Sequence, residues 1–233
     1  ARMRSTRFPG KALAPLYGLP IIYWTCFFAS KLRPDVVRVL TSEDVSCDPI
    51  VHFCRAIGVK VSRGAEDDVL SRFASAIKMD KIDYVVRLTA DNPGLDLAQG
   101  ERLISVAISD RLDYATNQGL LPIGLGIEVF SAKVLEVTNR LTLSDFHREH
   151  INEFILEKKS EFNSLIAKEV DLYSKHRCTI DTVTDLDSYD DQLISYGDNL
   201  ILDVFREGSS HYYKRYMQLF ERSRSSKQKH WDC

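Results

Sequence analysis

The sequence has 233 residues, with 31 Lys and Arg against 33 Asp and Glu and a formal net charge of −2. Hydrophobic residues make up 44% of it, enough to bury a sizeable core, which excludes disorder throughout. The balanced charge excludes a general nucleic-acid or membrane-surface binder.

The five cysteines, Cys26, Cys47, Cys54, Cys178 and Cys233, form no CxxC pair. They fit a reducing compartment better than a disulfide framework or a structural zinc site. No signal peptide is visible, and the most apolar stretch, PIIYWTCFFA at 20–29, is too short to span a bilayer. The reading is a soluble, cytoplasmic protein.

The chain opens on a basic loop, RMRSTRFPGK at 2–11. A loop of this kind follows a buried strand, so a strand is expected ahead of Ala1. From Pro20 to Leu32, Ile21, Trp24, Phe28 and Leu32 keep helical spacing. VVRVLT (36–41) reads as a strand, DPIVHFCRAIG (48–58) as a helix stopped by Gly58, and VKVS (59–62) as a strand. EDDVLSRFASAIKM (66–79) is an amphipathic helix with acids at its N-terminus, and DYVVRLT (83–89) a buried strand. Leu103, Ile104, Ala107 and Ile108 mark the next helix. IEVFS (127–131) reads as a strand, followed by helical stretches at 132–141 and 145–158. SLIAKEVDL (164–172) and RCTID (177–181) read as strands. TVTDLDSYDDQLISY is a single amphipathic helix with Thr182 as N-cap and Asp185 three residues on. The tail RSRSSKQKHWDC is polar and basic.

This alternation predicts an α/β fold with three layers: a mostly parallel sheet with helices on both faces. One domain at 1–196 would be followed by a C-terminal helical extension and polar tail at 197–233. Ligands of such sheets sit beyond the C-terminal ends of the strands. The basic loop and ADNPGLD (90–96) both lie there.

In the loop, Arg2, Arg7 and Lys11 can be aimed at one point by a turn that Gly10 permits and Pro9 stiffens, with Ser5 and Thr6 adding hydroxyls. Guanidinium groups grip phosphate oxygens, so a triphosphate fits. A solvated basic surface fits the composition equally well. Asp91 follows a strand directly, and Asp181 stands in the same relation to RCTI. Each alone reads first as a turn or helix cap. Together with the basic loop they suit one or two Mg²⁺ ions held against a triphosphate. Asp67 and Asp68 read as helix N-terminal acids, Cys54 as a small buried hydrophobe, and Tyr23, Trp24, Phe27 and Phe28 as core.

These segments resemble a known family. Residues 2–11 resemble the AR-x-x-STR-x-PGK signature of cytidylyltransferases that make CMP-activated acidic sugars, the acylneuraminate and octulosonate type. The branch they look most like is the spore-coat polysaccharide (SpsF-type) one. RGAEDDVLSRF (63–73), RLTADNPGLD (87–96), GLGIEVFS (124–131), REHIN (148–152) and RCTIDTVTDL (177–186) continue the resemblance in order, over roughly residues 1–190. It implies a Rossmann-like, GT-A-like nucleotidyltransferase that moves CMP from CTP to an acidic sugar. It implies Arg2, Ser5, Arg7 and Lys11 on the triphosphate, and Arg63 and Asp68 on the nucleotide side of the cleft. Asp91 and Asp181 would hold Mg²⁺, making Arg7, Lys11, Asp91 and Asp181 the catalytic set. Glu128, Arg148 and His150 would lie near the sugar, and the assembly would be a homodimer. Arg4, Ala90, Asn92, Gly94 and Val183 depart from the family's usual residues, and none of them is an implied ligand.

Two other readings stay open. One is a guanylyl- or other nucleotidyltransferase on a sugar 1-phosphate, or a glycosyltransferase, whose D-x-D would have to be Asp185–Asp187. The other is a nucleotide-binding module without turnover.

Overall fold

The computed structural model describes residues 1–142, 144–167, 177–196, 201 and 205. Predicted elements at 168–172 and the extension and tail beyond 205 lie outside the described residues.

The basic loop leads into a two-residue hairpin, β1 (Pro15–Leu16) and β2 (Leu19–Pro20), and then α1 (Ile21–Lys31). There follow β3 (Arg38–Ser42), α2 (Asp48–Ala56), β4 (Lys60–Gly64), α3 (Val69–Asp80), β5 (Tyr84–Arg87) and α4 (Leu97–Ser109). The second half holds β6 (Tyr114–Thr116), β7 (Glu128–Ser131), α5 (Ala132–Leu141), α6 (Asp145–Glu149), α7 (Glu153–Glu157) and β8 (Ser164–Ile166). Two more helices, α8 (Val183–Asp187) and α9 (Tyr189–Tyr196), complete the described chain.

The fold is α/β, but the expectation of one mostly parallel sheet needs correction. β3 and β4 form a parallel pair of their own. A separate four-stranded sheet runs β5-β7-β6-β8, in which β7 is antiparallel to both neighbours and only β6 and β8 are parallel. A parallel return requires a crossover, usually helical. Between β6 and β7 the chain makes only a 3-10 turn at Gln118–Leu120, so β7 comes back antiparallel. Among the described residues the facing edges of β3 and β5 pair with no further strand. A cavity of about 1970 Å³ lies between them, lined by Val39, Leu40, Val85 and Val86 among others.

β6 and β7 show how both faces are covered. Ala115 and Val129, paired in register, face the larger core with Trp24, Phe28, Leu103 and Ile127. Their neighbours Tyr114 and Phe130 face the opposite core with Leu70, Ile77, Leu135 and Ile155. This is the period-2 alternation of a strand buried on both sides. The aromatic cluster of α1 is core as expected: Trp24 and Phe28 are buried, and Trp24 Nε1 donates to the Leu16 carbonyl at 2.7 Å. Cys26, Cys47, Cys54 and Cys178 are buried free thiols. Among the described residues no helix is long and apolar enough to cross a membrane.

Candidate functional site

The basic loop is closed by backbone hydrogen bonds. Gly10 N–H donates to Met3 O at 2.9 Å, which Gly10 can do because it sits at φ 76°, a conformation that suits glycine. The amine of Ala1 donates to Leu40 O on the open edge of β3 at 2.8 Å. Ser5 Oγ accepts from Phe8 N–H within the loop. The turn delivers Lys11, at the start of a 3-10 segment, into the molecule rather than to solvent.

Lys11 Nζ lies 2.8 Å from Asp91 Oδ2 and 3.0 Å from Asp181 Oδ1. Arg7 Nη2 approaches the same Asp181 oxygen at 3.1 Å, and Arg177 pairs with the other. The two carboxylates, 90 positions apart in the chain, are therefore held on one ammonium. Backbone bonds fix the approach: Ile180 N–H donates to Asp91 O at 2.8 Å and Cys178 N–H to Ile123 O at 2.7 Å. Burial pushes the Asp91 carboxyl up, but bonds from Lys11 and Thr89 together with the Lys11 charge outweigh it and hold the group below its ordinary value. The two carboxylates, of which Asp91 borders the cavity, form a hard-oxygen donor pair that suits a divalent cation shared with phosphate. No group of three or more His, Cys, Asp or Glu side chains gathers among the described residues.

The other residues singled out in the sequence fall into two further groups. Arg2 reaches Glu149 Oε1 at 2.7 Å and Glu66 O at 3.2 Å, tying the loop to α6. Asp68 caps α3 by accepting from Ser71 N–H, and Arg148 donates to it at 2.7 Å, so a residue expected on the nucleotide side and one expected near the sugar form a single ion pair. His150, exposed, lies against the Phe146 ring and borders the cavity with Arg2 and Glu149.

Arg63 braces the turn after β3, donating to Ser42 O and Asp44 O and pairing with Asp48. Glu128 is 1% exposed, bound by the Tyr114 hydroxyl at 2.7 Å and by Arg87. Burial and the Glu128 charge drive that hydroxyl's pKa upward. Neither Arg63 nor Glu128 lines the cavity.

Two neighbours of the site, Arg177 and Glu149, escape a sequence reading. Arg177 carries a weak signal, a cation four residues before Asp181. Glu149 lies inside REHIN, where the flanking Arg and His draw attention first. Asp185 accepts from the backbone N–H of both Asp181 and Thr182, orienting the segment that carries the site aspartate. It belongs to a capping box inside α8, which removes it as half of a D-x-D metal motif.

A family model described as cytidylyltransferase matches residues 1–226. The chain is 33% identical over 200 residues to the spore coat polysaccharide biosynthesis protein SpsF of Bacillus subtilis, covering 81% of each. It is 31% identical over 162 residues to the uncharacterized protein MJ1063 of Methanocaldococcus jannaschii, covering 69% of this chain and 66% of that protein. Among solved structures, a cytidylyltransferase from Leptospira borgpetersenii superposes with a TM-score of 0.75 at 28% identity, covering 90% of this chain and 92% of the other.

Proposed function

Because the chain belongs to the cytidylyltransferase family, we propose that it transfers CMP from CTP to a hydroxyl of an acidic sugar, releasing pyrophosphate, in the synthesis of a surface polysaccharide or glycan. The observation that carries this reading is the convergence of Lys11, Arg7, Asp91 and Asp181. Nucleotidyl transfer needs little covalent help from a protein; positioning and charge neutralisation supply most of the rate.

In this reading a sugar hydroxyl attacks the α-phosphorus while the bond to pyrophosphate breaks. Lys11 and Arg7 donate to the phosphate oxygens and stabilise the charge that grows on the leaving group. Arg2 and Ser5 hold the remaining phosphates from the same loop. Asp91 and Asp181 would hold Mg²⁺, which when bound neutralises phosphate charge and lowers the pKa of the attacking hydroxyl. The ion pair of Asp68 with Arg148 and the brace from Arg63 keep the nucleotide side of the cleft in shape. His150 faces the acceptor; Glu128 reaches it only by orienting Arg87 and Tyr114. A homodimer whose second copy closes the acceptor pocket completes the reading.

The test is pyrophosphate release by the protein with Mg²⁺, each of four nucleoside triphosphates and a panel of nine-carbon and octulosonate-like acids. Release that depends on CTP and on an acidic sugar is expected. Release only with GTP and a sugar 1-phosphate, or nucleotide binding without release, would overturn the reading. Asp91→Ala should abolish turnover and leave the circular-dichroism spectrum unchanged; surviving activity would sink the metal assignment.

A further inference from the structure

Arg177 is the neighbour of the site to which the mechanism gives no task. It pairs with one oxygen of Asp181, while Lys11 at 3.0 Å and Arg7 at 3.1 Å take the other. Lys11 also lies 2.8 Å from Asp91 Oδ2. Cations therefore cover both oxygens of Asp181 and one of Asp91. The Lys11 ammonium, bonded to both carboxylates, stands where a cation shared between them would stand. Like charges a few ångströms apart repel, and a dication doubles the effect. Mg²⁺ also gives up its water reluctantly. A dication arriving alone has to displace bonded cations that have no other anion to turn to.

The three cations differ in where they can go. Arg7, Lys11 and Asp91 border the cavity, whereas Arg177 and Asp181 do not. The Arg7 side chain is 64% exposed, so it can turn to a new partner at small cost. A polyphosphate in the cavity offers Arg7 and Lys11 charge-assisted bonds of the kind they give up. Arg177, outside the cavity, has a different alternative: its Nε stands 3.9 Å from Asp185 Oδ1. Asp185 accepts from the backbone N–H of Asp181 and Thr182 through Oδ2, which leaves Oδ1 for Arg177.

We propose that Arg177 and Lys11 keep the two aspartates closed to a divalent cation until a polyphosphate arrives, so that the metal enters only together with the triphosphate. The proposal rests on the metal assignment above. Arg177 is a positioning residue, acting on the metal through Asp181. The triphosphate draws Lys11 and Arg7 onto its own oxygens and uncovers one oxygen of each aspartate. Arg177 then leans toward Asp185 and leaves Asp181 free to turn. Each ligand thus favours the other, and the coupling is reciprocal.

The test is equilibrium dialysis of Mn²⁺, a dication that shares the oxygen preference of Mg²⁺, against each protein with and without CTP. Wild type should retain little Mn²⁺ alone and much more with CTP. Arg177→Gln should bind Mn²⁺ alone about tenfold or more tightly than wild type, and adding Asp181→Asn should abolish that gain. Arg177→Lys keeps the charge and should stay near wild type. Arg4→Gln removes a charge from the same loop, but one paired with Asp44 rather than with either site aspartate, and should also match wild type. Should Arg177→Gln fail to fold, Lys11→Met gives the same reading. Wild type binding Mn²⁺ alone as tightly as Arg177→Gln, or Arg4→Gln gaining as much, would overturn the proposal. Mn²⁺ retained by none of these proteins, with CTP or without, would instead overturn the metal assignment itself.

Discussion

At the residue scale, Lys11 sets the charge state of the site. Asp91 is pushed up by burial and brought back below its ordinary value by bonds from Lys11 and Thr89. A carboxyl whose folded pKa is depressed contributes stability that is present above its unfolded value, about 3.9, and is lost as pH falls through the folded value. In Lys11→Met burial loses its main opponent, so the Asp91 pKa should rise above the ordinary value. The sign then reverses: between the raised pKa and about 3.9, stability should increase on acidification. Urea midpoints from pH 7 to pH 3 check this, and a Lys11→Met variant whose midpoint follows the wild-type pH profile across that range would refute the coupling. Turnover should drop about 10²–10³-fold, as for loss of one oriented donor to developing charge. Lys11 was singled out from the basic loop and Asp91 from its place after a strand, whereas the strand that drew attention to Asp181 is a single bridge at Arg177. Arg177 was not singled out, since a single exposed-looking cation gives no pattern before the chain folds.

At the element scale, α8 carries more than its five residues suggest. Thr182 Oγ1 accepts from Asp185 N–H at 3.2 Å, and Asp185 Oδ2 accepts from the backbone N–H of Thr182 and Asp181 at 2.8 and 2.9 Å. Thr182→Ala removes one bond of the box and should cost about 1 kcal/mol by chemical denaturation, with kcat close to wild type. Asp185→Ala frees the N–H of Asp181 as well, so it should cost about as much stability and also lower kcat, rescued in part by Asp185→Asn. Equal kcat in both alanine variants would show that the cap does not orient Asp181. The Thr182 and Asp185 pairing was readable from spacing, but the helix it starts was read as continuous to residue 196 and instead breaks at Ser188. The 145–158 stretch breaks in the same way, into α6 and α7. Both segments keep apolar periodicity through the break, so the pattern does not reveal it. β6 went unread because three residues are too few for a period to show.

At the scale of the whole molecule, the site depends on two distant pieces of chain lying against each other. Alternating segments revealed helices on both faces of a sheet. They could not reveal that β7 runs antiparallel, because direction is set by how the chain returns. The segment 177–181, read as a strand, makes a single bridge from Arg177 to Ile123 and otherwise rests on Asp91 O and Ile123 O. Gly124 is the point of closest approach: it has φ +102°, and a Cβ there would lie 2.4 Å from Cys178 O and 2.6 Å from Cys178 C. Gly18 has φ +77° and nothing within 4 Å of its virtual Cβ. Both pay the left-handed penalty when changed to Ala, about 1–2 kcal/mol. Only Gly124→Ala also collides with backbone, which cannot rotate away, adding about 1–3 kcal/mol and pushing 178–181 outward. Gly124→Ala should therefore lose about 3 kcal/mol or more and nearly all pyrophosphate release, even under conditions where it remains folded. Gly18→Ala should lose the smaller amount and keep its turnover. Denaturant midpoints and the pyrophosphate assay on both proteins decide it. If the two behaved alike, the contact between residues 124 and 178 would not be what brings Asp181 to Asp91.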